Sequence, residues 1–261
     1  MSTSSVIEQI VIRNCKGTQE FDACVELQRD VWRFAEAELV PMHLFVVAEE
    51  IGGQVIGAFD GRELVGFVLA LPGVHRHAQG TPRAYLHSHL LGVRESYRNT
   101  HVGGRLKLAQ RQDAMDRGFD LVEWTFDPLE IKNAYFNIMK LGAIVRRYSV
   151  NHYGGSSSPL HRGLPTDRVI AEWWLKSNRV TNLLESGQPP VFQPIQQVNV
   201  PAQIYSWRKS ESDLPKAAEI QSRNREELLR AFSQGLTVLG YDRDQELNGS
   251  YLLGHWPEEQ L

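Results

Sequence analysis

The four residues Asp60-Gly61-Arg62-Glu63 separate two apolar runs, QVIGAF at 54–59 and LVGFVLAL at 64–71. Asp-Gly between runs of this kind is a tight-turn signal, so the segment predicts a β-hairpin and an antiparallel strand pair. Elsewhere strands alternate with segments of helical period. Strands are expected at 6–13, 83–93, 121–126, 143–152 and 168–175. Helices are expected at 18–33, 102–117 and 130–141, with Gly118 and Gly142 placed to end the last two. A hairpin beside crossover helices predicts α/β architecture with a mixed rather than wholly parallel sheet.

Beyond residue 176 the pattern continues. A helix is expected at 177–185, a Pro-rich connector at 188–201, a strand at 200–205, a long helix at 214–232 and short strands at 236–241 and 250–253. The long helix carries Leu214, Ile220, Leu228, Leu229 and Phe232, a stripe that needs a partner surface. The expected organisation is therefore a domain at 1–176 and an α/β extension at 177–261 packed on it.

With 42% hydrophobic and 23% charged residues, the 261-residue chain has the balance of an ordinary globular protein. A net charge of −3 argues against a general nucleic-acid binder. No apolar run approaches a membrane span, and the polar start MSTSSVIEQI lacks the core of a signal peptide. Cys15 and Cys24 have no metal-like companions and read as free thiols, so the expectation is a cytoplasmic protein without nucleic-acid or membrane partners. Homo-oligomer formation is left open.

Chemistry concentrates between Leu86 and Gly104, LHSHLLGVRESYRNTHVGG. An apolar strand leads through a polar turn to paired glycines at a helix start. Unpaired amides at a helix N-terminus favour an anion, and glycine lets it approach the backbone closely. Val102, Gly103, Gly104 and Arg105 are the expected phosphate cradle, with Arg98 adding charge or fixing the loop. The plain alternative is a strand-to-helix turn. His87 and His89 point to one face if strand alternation holds. Imidazole titrates in the range a general base needs, although two hydrogen-bonded structural histidines are the bland reading. A metal role for His75-x-His77 and His87-x-His89 lacks a placed carboxylate or cysteine companion.

These segments resemble the GNAT superfamily of acyl-CoA-dependent N-acyltransferases. The family pattern is an apolar strand, then Arg or Gln, two residues, Gly, one residue, and Gly or Ala. The counterpart here is Arg98-Asn99-Thr100-His101-Val102-Gly103, with His101 at the first family glycine. NAYFNIMKLGA at 133–143 is similar to the family's Asn/Ala-rich helix, with Ile138 where a tyrosine often acts as general acid. In element order the resemblance covers about 6–175. The long extension also looks like a branch of predicted acyltransferases, some associated with N-acylated amino acids and succinyl transfer.

The resemblance implies a mixed, splayed β-sheet flanked by helices, the acyl-CoA N-acyltransferase fold. It implies acetyl-CoA or another acyl-CoA as co-substrate, no metal, and a small-molecule amine acceptor such as an amino acid, attacked directly in a ternary complex. Leu91 and Val93 would offer backbone groups to the acyl carbonyl and pantetheine arm, and Asn133 would hydrogen-bond the cofactor or satisfy its helix start. His-x-His-x-Leu-x-Val resembles the paired-histidine strand of arylalkylamine N-acetyltransferases, and His87 matches the position of a carboxylate base in histone-type members, so His87, assisted by His89 or an ordered water, would be the base. Glu123 or Asp127 would bind the amine or relay protons, although Asp127 before Pro128 reads more simply as a strand terminator and cap. Tyr135 is a candidate acid, offset from the family position. His161 and Arg162, in the Gly/Ser/Pro-rich loop 153–167, would select the acceptor. Against an enzyme stands a non-catalytic CoA-binding or interaction protein, which His101, Ile138 and the extension also suit.

Overall fold

The computed structural model describes residues 10–75, 81–154 and 163–256. The class is mixed α/β, and the chain divides into two compact units with the boundary between Val122 and Glu123.

In the first unit β1 (Ile10–Asn14), β2 (Gln54–Asp60), β3 (Glu63–His75) and β4 (Arg83–Val93) pair antiparallel in chain order. The expected hairpin forms: Asp60 pairs with Glu63, and Gly61 takes the left-handed φ of +58° that the turn requires. Helices cover both faces. Phe21, Cys24 and Leu27 of α1 (Gly17–Trp32) and Phe45 and Ala48 of α2 (Met42–Glu50) pack on Val55, Phe59, Phe67 and Leu69. On the other face Val102 and Leu106 of α3 (Val102–Asp116) meet Ile56, Ala58, Val65 and Val68. Residues 55 and 56, or 67 and 68, go to opposite faces because strand side chains alternate. Cys15 and Cys24 are buried free thiols, with sulfurs 4.0 Å apart.

The second unit orders its strands β5-β7-β6-β9-β10-β8: β5 (Leu121–Phe126), β6 (Ile144–Ser149), β7 (Arg168–Trp174), β8 (Gln196–Val200), β9 (Leu236–Arg243) and β10 (Gly249–His255). Extension strand β9 pairs with β6 at Val145↔Val238. The segment expected as one helix at 130–141 is instead α4 (Ile131–Tyr135) followed by a π turn over Phe136–Lys140, where the Leu141 amide donates five residues back to Phe136 O at 3.1 Å. Gly142 ends it with φ +79°. After α5 (Asn178–Ser186), part of the expected connector is β8, which ends at Val200 because Pro201 has no amide to continue the ladder. The strand expected at 200–205 is absent: α6 (Ile204–Trp207) begins there.

The buried face of α7 (Leu214–Ser233) also departs from the expected stripe. Ala217, Gln221, Asn224, Leu228 and Ala231 are buried, whereas Leu229 is exposed. That face stays tight because alanines leave room and the two amides are bonded, Gln221 Nε2 to Pro165 O at 2.8 Å and Asn224 Nδ2 to Asn199 O at 3.0 Å. Among the described residues, no helix is long and apolar enough to cross a membrane.

Candidate functional site

In the first unit the site is built from β4 and the start of α3. The β3–β4 register pairs Leu69 with Leu90 but Ala70 with Ser88, so His89 is the extra residue of a β-bulge. The bulge breaks the alternation on which the sequence reading relied. Leu90 packs with the α1–α2 cluster, whereas Leu91 and Val93 pack with the α3 cluster. The run His-x-His-x-Leu-x-Val therefore does not share one face. The two histidines remain neighbours, with ring centroids 6.0 Å apart and planes tilted by 39°. Both are half-buried, and burial lowers the His89 pKa below the usual histidine range. Burial thus favours the neutral imidazole.

The turn into α3 holds two left-handed residues, Asn99 at φ +64° and His101 at φ +63°. His101 stands at the family's first glycine, and the backbone there still takes the conformation that glycine makes easy. The first intrahelical bond runs from the Arg105 amide to His101 O at 3.0 Å. The Arg105 amide is therefore engaged, and its guanidinium donates to Ile10 O at 2.7 Å. The amides of Val102, Gly103 and Gly104 precede that bond and point out of the helix start. Gly103 rests on the strand: a Cβ there would lie 3.8 Å from both Leu91 and Val93 side chains. Arg98 is placed alongside, its Nε 3.4 Å from Val93 O. Open amides at a helix N-terminus beside a residue without a side chain suit a pyrophosphate, so these residues fit a CoA cofactor.

Three candidates belong to the second unit. Glu123, on β5, is 4% exposed and ion-paired with Arg147. The Asn133 side-chain oxygen accepts from Asn137 Nδ2 at 3.3 Å. The Tyr135 ring has two cations over it, Lys140 Nζ at 5.7 Å and the Arg243 guanidinium at 5.4 Å. Asp127 is a turn residue, as its place before Pro128 suggested: one oxygen accepts from the Leu129 amide at 2.8 Å and the other from Arg208 at 2.7 Å. His161 and Arg162, like His77, lie outside the described residues. The described ends of their loop are pinned, since buried Asp167 accepts from Tyr148 Oη, the Asn151 amide and Arg225 Nε. Among the described residues no group of His, Cys, Asp and Glu is placed to hold a metal ion.

One group escaped the sequence reading. Lys107 is 3% exposed inside α3, and its Nζ donates to Ser88 Oγ at 3.0 Å and Gln110 Oε1 at 2.9 Å. Burial pushes its pKa down to about 7. A single lysine in a basic helix gives no sign of its burial in the sequence.

No protein-family model matches the sequence, and no curated protein matches it. Solved structures do match in fold. The Salmonella typhimurium protein yncA, solved with its cofactor acetyl-CoA, is similar at TM-score 0.51 and 14% identity, over 64% of this chain and 95% of that one. Arabidopsis thaliana NAA60 in complex with acetyl-CoA gives TM-score 0.51 at 14% identity, over 63% and 99%. An N-acetyltransferase from Staphylococcus aureus Mu50 gives 0.50 at 15%, over 64% and 99%. Identities this low speak for architecture alone. The chain has the GNAT acyl-CoA N-acyltransferase fold.

Proposed function

We propose that the protein transfers an acyl group, acetyl or succinyl, from acyl-CoA to the amine of a small molecule, such as an amino acid. The observation that carries this reading is the juxtaposition in one unit of the open α3 amides and a bulged β4 bearing two neighbouring histidines. Val102, Gly103 and Gly104 would hold the pyrophosphate through their amides, and Arg98 would add positive charge. Bound acyl-CoA would supply the activated thioester, and CoA would leave as the product thiol.

The protein's part is then positioning and proton removal. An amine must be neutral to attack, and His87 takes its proton as the new N–C bond forms. The bulge at His89 interrupts the ladder, so a strand amide there can meet the negative oxygen of the tetrahedral state, a contribution of roughly 3 kcal/mol in comparable sites. The C–S bond then breaks, and the departing thiolate takes a proton from solvent. Attack is direct: both cysteines are buried, and the contact with Cys15 together with burial raises the Cys24 pKa, which suits an inert thiol rather than a nucleophile.

Mass spectrometry of reactions offering several acyl-CoAs to a panel of amines tests the reading. The expected result is an amide product accompanied by stoichiometric free CoA. CoA binding without product from any donor and acceptor would favour the non-catalytic alternative.

A further inference from the structure

Lys107 is a costly residue for its place. A buried ammonium gives up its hydration, and a leucine or methionine would fill the same space without that penalty. Its bonds show what it gains. Ser88, which accepts from it, directly precedes the bulged His89. Gln110, which also accepts from Lys107, donates to Gln54 Oε1 at 3.1 Å, and Gln54 Nε2 donates to Gln110 O at 3.1 Å and Asp113 Oδ2 at 2.7 Å. A continuous chain of hydrogen bonds thus runs from the bulge through α3 to β2.

A bulge is a register shift, and moving it by one residue turns the intervening side chains to the opposite face. Ser88 reaches α3 only while the bulge stays at His89. Displacing it to Ser88 would rotate that hydroxyl away and take from buried Lys107 the acceptor that links it to β4. We propose that Lys107, acting through Ser88, fixes the β4 bulge at His89 and thereby positions the histidine pair and the bulge amide. This assigns a positioning residue and rests on the acyl-transfer reading above.

The test is a double-mutant cycle in the full chain with Ser88→Ala, Lys107→Met and both together. Two readouts are needed: kcat with the best acceptor, and NMR pH titration of the His87 and His89 imidazoles. Each single change is expected to lower kcat by roughly 10- to 100-fold, the scale of an ångström misplacement, with acyl-CoA KM nearly unchanged. The double variant should be no worse than the poorer single, because both changes break one linkage. Both singles should move the two imidazole titrations in the same way. Unmoved imidazoles overturn the inference whether or not the protein is active, as do wild-type kcat values or kcat losses that multiply. If Lys107→Met does not fold, the Ser88→Ala titration decides alone. A wild-type chain that acylates no amine removes the acyl-transfer reading, while the titrations still decide whether the bulge is pinned.

Discussion

His87→Ala is expected to lower acyl-transfer turnover by about 10²–10⁴-fold, the usual cost of removing a positioned base. CoA affinity should stay near wild type, because the proposed cofactor contacts come from the α3 amides and not from this imidazole. The acidic limb of the pH–rate profile should vanish with His87, since that limb records protonation of the base. His89→Ala should cost less and leave the limb in place. Burial lowers the His89 pKa and so favours its neutral imidazole, which can orient a proton transfer as an uncharged partner. Steady-state rates from pH 5 to 9 for the two variants distinguish the roles. Retained turnover in folded His87→Ala would make the strand histidines structural, and a limb lost only in His89→Ala would exchange their roles.

The second large effect concerns stability and lies in the second unit. Arg208 is 7% exposed and donates to Asp127 Oδ2 at 2.7 Å and Glu130 Oε1 at 2.9 Å. These bonds tie the α6 end to the turn between β5 and α4. Arg208→Ala would leave Asp127, itself only 12% exposed, without its cation. Breaking one side of such a buried pair costs about 3–5 kcal/mol. The half-exposed Glu130 can recover water, so the lower end of that range applies. Urea denaturation should register a loss of about 3 kcal/mol, and Asp127→Asn in the Arg208→Ala background should restore part of it by removing the stranded charge. A loss under about 1 kcal/mol would mean that the pair behaves like an exposed surface bridge.

Much of the fold was legible because its cause is periodic. The Asp60-Gly61 turn, the two-faced burial of β2 and β3, and the glycine ends at Gly118 and Gly142 all follow from local rules that the sequence displays. What stayed hidden is aperiodic or set by tertiary contacts. The bulge at His89 falls within a run whose alternation looks unbroken, and only pairing with β3 reveals the extra residue. The π turn at Phe136–Lys140 reads as ordinary helix because one widened turn barely alters the apolar spacing. Gln221 and Asn224 stand outside the apolar stripe expected of α7, yet their hydrogen bonds let them occupy its buried face.

The candidate site divides the same way. His101 broke the expected glycine pattern in sequence, yet its φ of +63° lies in the left-handed region that glycine enters most easily. Histidine is among the residues that tolerate this region best, so the departure is milder than the letter suggests. Lys107 was invisible because its burial depends on segments distant in sequence: Ser88 lies on β4, and Gln110, one turn along α3, connects onward to Gln54 on β2.

Calorimetric titration of CoA into wild-type and Gly103→Val protein tests most directly whether the open amides of α3 hold the cofactor. A Cβ at Gly103 would make only ordinary contacts, 3.8 Å from Leu91 and Val93, so the fold should accommodate a side chain. Valine would nevertheless stand where a pyrophosphate must approach the Gly103 and Gly104 amides. Losing one or two charge-assisted bonds there should weaken binding by roughly 100-fold, while the variant's melting temperature stays close to wild type. Failure of the wild-type chain to bind CoA, or equal affinity in the folded Gly103→Val variant, would contradict the account.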